Sequence, residues 1–94
     1  MNIFEKTEQP FVMVALSRLQ PLVLYENTEP DIIALKKDIL ANGLLRPLEV
    51  EETTWRITQG NERYLIFKDL QIAEVPVRFV NTEKWDRPPQ EAKV

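Results

Sequence analysis

The chain predicts a single compact α/β domain of about four strands and two main helices, and three observations carry that expectation. Phe11 to Leu16 is an unbroken apolar stretch of strand length. Pro30 to Asn42 and Asn61 to Leu70 carry apolar residues at helical spacing, and shorter alternating stretches lie around them. With 94 residues and 44% hydrophobic content, there is material for one core and no room for a second domain.

Taken in order, Phe11 to Leu16 reads FVMVAL, the pattern of a strand buried on both faces. Ser17 to Tyr25 mixes Pro21 with Leu19, Leu22, Val23 and Leu24, which predicts a packed loop or short helical turn, and the acidic stretch Glu26 to Pro30 follows as a connection. The first helix is expected from Pro30 to Asn42. Pro30 suits its first position, Ile32, Leu35 and Ile39 recur on one side, Lys36 and Lys37 take the wet side, and Gly43 offers a left-handed cap.

Pro47 to Glu51 and Thr54 to Thr58 both alternate across the short Glu52-Thr53 connection, the signature of a hairpin that sets Trp55 and Ile57 on one face of a strand. Asn61 is expected to cap a second helix to Leu70, with Tyr64, Leu65, Ile66, Phe67 and Leu70 supplying its apolar side. Val75 to Val80 closes the domain as a strand, and Pro76 places it at a strand start or a sheet edge. Residues 1–10 read as an N-terminal arm, 11–80 as the domain and 81–94 as a C-terminal tail. Within that tail, Trp85 is a large aromatic among polar neighbours and a candidate for docking a partner protein.

Composition excludes several chemistries. Without Cys or His, the chain holds no disulfide, no thiol nucleophile, no imidazole acid–base catalyst and no ordinary zinc set. Its net charge of -3 disfavours nonspecific nucleic-acid binding, which rests on phosphate neutralisation. Neither an apolar run of about 20 residues nor a basic-then-apolar leader occurs, so a soluble, cytoplasmic protein without membrane association is expected.

The stretch Gly60-Asn61-Glu62-Arg63-Tyr64 is the candidate for chemistry. A strand, a glycine and a helix start in succession bring free backbone N–H groups and the positive helix end to one place, where Arg63 can add a charge-assisted contact to a phosphate. The plainer alternative is a turn glycine with positive φ, followed by an arginine that is solvated or pairs with Glu62.

The order of segments adds to this. Val14 to Leu22 (VALSRLQPL), Leu35 to Val50 (LKKDILANGLLRPLEV), Ile57 to Tyr64 (ITQGNERY) and Leu70 to Val77 (LQIAEVPV) together resemble the ParB/sulfiredoxin superfamily from about Val12 to Val80. The resemblance implies an α+β arrangement with a small mixed sheet. It also implies a nucleotide or phosphate site at Gly60, Asn61, Glu62, Arg63 and Tyr64, with Gly43, Leu44, Leu45 and Arg46 on the base side and CTP or ATP with Mg as the ligand. Arg18, Arg46 and Arg63 are candidates to converge on one anion.

The departures shape the functional reading. Asn61 and Glu62 stand where sulfiredoxins have their nucleophilic Cys and a His. Asp31 and Ala34 stand where phosphate-binding Lys and Ser are found. Of the ParB turn, Gly-Glu-Arg-Arg, only Gly60 and Arg63 match, and Gln59 and Glu62 replace the Asp and His of kinase-like and nuclease-like relatives. The expected function is a stand-alone, non-catalytic binding module, an adaptor or regulator that recognises a nucleotide, another phosphate ligand or a partner protein, a second copy included. The alternatives are a DNA-associated or nuclease-like accessory protein and a small nucleotide-dependent kinase.

Overall fold

The computed structural model describes residues 2–81. Four strands form one mixed sheet in the order β1-β4-β2-β3: β1 is Val12–Ala15, β2 Leu48–Glu51, β3 Ile57–Gln59 and β4 Glu74–Val80. β4 runs antiparallel to β1 and parallel to β2, and β2 and β3 make an antiparallel hairpin. Helices α1 (Pro30–Asn42) and α2 (Asn61–Asp69) contact each other, and a 3-10 turn covers Leu16–Arg18.

The core joins one sheet face to the two helices. Leu48 and Val50 of β2, Val75 and Val77 of β4 and Ile57 of β3 meet Ile32 and Ile39 of α1 and Ile66 and Phe67 of α2 in one buried cluster. By strand alternation, Glu49 and Arg78 therefore stand on the sheet face turned away from that core. Among the described residues, no helix is long and apolar enough to cross a membrane.

α1 has the bounds its sequence predicts, with Pro30 at its start and Gly43 after its end at φ 84°. Lys36 is not simply solvated: its ammonium pairs with the Asp69 carboxylate of α2. β1 departs from expectation. It is shorter than Phe11 to Leu16 and lies at the sheet edge with Val12 and Met13 exposed, because the chain turns into the 3-10 segment at Leu16, which enters the core instead.

β4 departs in the opposite sense, as an interior strand despite Pro76. The β2 ladder begins at Leu48 opposite Val77, so Pro76 lies just before it and its missing N–H removes no rung there. Trp55 is not a strand residue. It sits at φ 63° in the turn before β3, its ring edge-on to Phe79 at 5.0 Å.

The N-terminal residues are packed. Phe4 meets Phe67 edge-on at 5.6 Å, the Leu44 N–H donates to the Ile3 carbonyl at 2.7 Å, and the buried Thr7 hydroxyl donates to the Leu44 carbonyl at 2.6 Å. The Glu8 N–H then donates to the Leu45 carbonyl, so residues 3–8 run along the loop that follows α1.

Candidate functional site

Gly60 is buried at φ 107°, and a Cβ there would lie 3.0 Å from the Leu48 side chain. Both the left-handed backbone and the lack of space require glycine. Gly60, rather than Asn61, is the residue that caps α2. Asn61 is already helical, and its side chain bonds elsewhere. Its Oδ1 accepts the N–H groups of Leu22 at 2.8 Å and Val23 at 3.3 Å, while Nδ2 donates to the Ile57 carbonyl at 3.2 Å. The side chain thus ties the loop after the 3-10 turn to the strand–helix junction.

Two neighbouring clefts open beside this junction. The larger, about 360 Å³, runs along the end of α1 and its following loop, where Asp38, Asn42, Leu45, Arg46 and Arg63 line it with Gly43 and Leu44. The smaller, about 190 Å³, is lined by Glu8, Arg46, Pro47, Glu49, Gln59, Arg63 and Arg78. Arg46 and Arg63 belong to both, so a single ligand can reach from one cleft to the other.

The electrostatics of the smaller cleft are unusual. Arg63 and Arg78 each bury their Nε with no hydrogen-bond partner among the described residues. The ion pair among the described residues joins Lys36 to Asp69 and involves none of Arg46, Arg63 and Arg78. Buried N–H donors are normally hydrogen-bonded. Here two arginines with an unpartnered Nε line the same cleft.

The sequence-predicted residues divide accordingly. Arg63, Arg46, Leu45, Leu44 and Gly43 line the clefts, whereas Gly60, Asn61, Glu62 and Tyr64 line neither. Leu44 is a core residue, while Leu45 beside it is exposed. Arg18 does not converge with Arg46 and Arg63. Its guanidinium lies over the Trp55 ring at 4.2 Å, a cation–π contact on a different part of the surface. Trp85 lies outside the described residues.

Arg78, Glu49, Gln59 and Glu8 are cleft residues that the sequence alone did not single out. Arg78 had one signal, a lone arginine within the apolar stretch Val75 to Val80, on the parity opposite to Val77. Glu8 had none, because only the fold brings the N-terminal segment here.

No protein-family model matches the chain, and no curated protein sequence matches it. Solved structures do. A free serine kinase in complex with AMP superposes with a TM-score of 0.65 at 15% identity, covering 81% of this chain and 33% of the kinase. Sulfiredoxin from Arabidopsis thaliana gives 0.63 at 16% identity, over 84% of this chain and 96% of sulfiredoxin. A Pnob8-like ParB-N domain gives 0.59 at 17% identity, over 85% of this chain and 34% of that one. The chain thus has an α+β fold of the ParB/sulfiredoxin type, and it spans about a third of the length of the kinase and ParB-N chains. At these identities the likeness is one of fold.

Proposed function

We propose that this domain is a non-catalytic binding module that takes a phosphate-bearing ligand, a nucleotide foremost, in the two clefts joined by Arg46 and Arg63, and acts as an adaptor or regulator through that occupancy. The observation that carries the reading is that Arg63 and Arg78, each with a buried Nε lacking a partner among the described residues, line one cleft. A buried donor without an acceptor costs about 1–3 kcal/mol, and a bound oxyanion removes that cost through charge-assisted bonds. The larger cleft, of the size that small molecules occupy, supplies room for what is attached to the phosphate. The AMP held by the similarly folded kinase supports a nucleotide in that role.

Binding is favoured over turnover by the side chains at hand. The chain has no His or Cys for imidazole or thiol chemistry, and Glu62, the carboxylate in the turn, lines neither cleft, which leaves Asp38, Glu8 and Glu49 as the cleft carboxylates.

The test is calorimetry with inorganic phosphate, AMP, CTP and ATP, each with and without Mg. Saturable binding that weakens at least tenfold, or about 1.4 kcal/mol, in Arg63→Ala and in Arg78→Ala is the expected result. Absence of heat with every one of them at millimolar concentration would exclude a phosphate ligand.

A further inference from the structure

We infer that the smaller cleft selects a phosphate monoester carrying a protonated amine close to the phosphate, with Glu49 and Glu8 as the residues that recognise the amine. This rests on the phosphate reading above and specifies what adjoins the phosphate.

The argument begins with the charges in the cleft: Arg46, Arg63 and Arg78 against Glu8 and Glu49, with Gln59 beside them. Carboxylates next to a site for a bare phosphate repel the ligand, and their usual reason for being there is to hold the arginines in place. These hold none. No ion pair or hydrogen bond joins either carboxylate to an arginine among the described residues.

The placement is also fixed by the sheet. Glu49 lies directly opposite Arg78 in the parallel β2–β4 ladder and opposite Gln59 in the hairpin, so the three form a row across β3, β2 and β4. The irregularity between Glu49 and Val50 produces this row, setting Gln59 across from Glu49 while Ile57 stays across from Val50 in the core. A cation and an anion are thereby held side by side on rigid strands and left unpaired with each other.

A ligand of the reverse polarity fits this arrangement. Its phosphate meets the guanidinium groups, and its ammonium, with three N–H donors, meets three acceptors: the Glu8 and Glu49 carboxylates and the Gln59 side-chain oxygen. The volume of about 190 Å³ restricts the linker between the two charged groups to a short one. A divalent ion bridging carboxylate and phosphate is the competing source of positive charge. No group of three His, Cys, Asp or Glu able to hold a metal occurs among the described residues.

The experiment is calorimetry on the whole chain with 2-aminoethyl phosphate, ethyl phosphate, and ethyl phosphate with Mg. The amine is expected to raise affinity at least tenfold over ethyl phosphate alone. Glu49→Gln and, on a separate segment, Glu8→Gln should each shrink that ratio, with circular dichroism checking the fold of both variants. Ethyl phosphate binding as tightly as its amine analogue overturns the inference and leaves the phosphate reading standing. Mg raising ethyl phosphate to the level of the amine analogue also overturns it, in favour of a metal bridge. No binding of either ester overturns the inference, while the nucleotide panel decides the phosphate reading separately.

Discussion

The Asn61 side-chain oxygen accepts the Leu22 N–H at 2.8 Å across 39 positions of sequence, and so fastens an exposed apolar loop to the first turn of α2. Replacing Asn61 with Ala removes this bond together with those to Val23 and the Ile57 carbonyl. The expected loss is about 2–3 kcal/mol, since three bonds are lost and each such bond is worth about 1 kcal/mol. Hydrogen exchange checks the mechanism: the Leu22 and Val23 amides should lose protection ahead of the core strands.

Gly60→Ala should destabilise the domain for two separable reasons. The left-handed backbone alone costs an L-residue about 1–2 kcal/mol, and the new methyl carbon would lie 3.0 Å from Leu48 Cγ. Thermal unfolding should therefore shift down by at least about 4–8 °C, the change that 1 kcal/mol makes in a domain of this size. A variant melting like the parent would mean that the junction has a different backbone.

Arg78→Met should show the opposite behaviour. The buried, unpartnered Nε disappears while an apolar stem remains in the interior strand. Stability measured by urea unfolding is expected to hold steady or rise by up to about 1 kcal/mol, while phosphate binding falls. A fall in stability comparable to a core truncation would assign Arg78 a structural role instead.

Glu51 predicts a pH dependence. Its Oε1 accepts from the hydroxyls and backbone N–H groups of both Thr53 and Thr54, at 2.7 to 3.0 Å, and these bonds hold its pKa down at about 2. The folded value lies below the ordinary 4.5, so the carboxylate contributes its full stability above that value and loses it as pH falls toward about 2. Glu51→Gln should be less stable than the parent at pH 7, with the gap narrowing between pH 4.5 and 2. A gap that stays constant with pH would break the assignment.

The sequence made legible what depends on local spacing. Pro30, Gly43 and the Ile32, Leu35, Ile39 repeat delimit α1 to the residue, because each acts within a turn or two of helix. Sheet order was less accessible. The apolar density of Phe11 to Leu16 suggested a central strand and Pro76 an edge, yet β4 lies inside and β1 outside, since a proline just beyond a ladder costs no rung. Within the site, Arg63 and Arg46 stood out through their turn and loop. Arg78, Glu49 and Glu8 come from three separated segments and acquire meaning only from strand register and from the path of the N-terminal residues.

That path makes the beginning of the chain a wall of the smaller cleft. Leu44 and Leu45 have their backbone groups engaged by Ile3, Thr7 and Glu8, and Glu8 itself reaches the cleft that Arg63 and Arg78 line. Trimming the first eight residues would therefore strip one wall from the smaller cleft and, with Phe4 and Thr7, packing from the core as well.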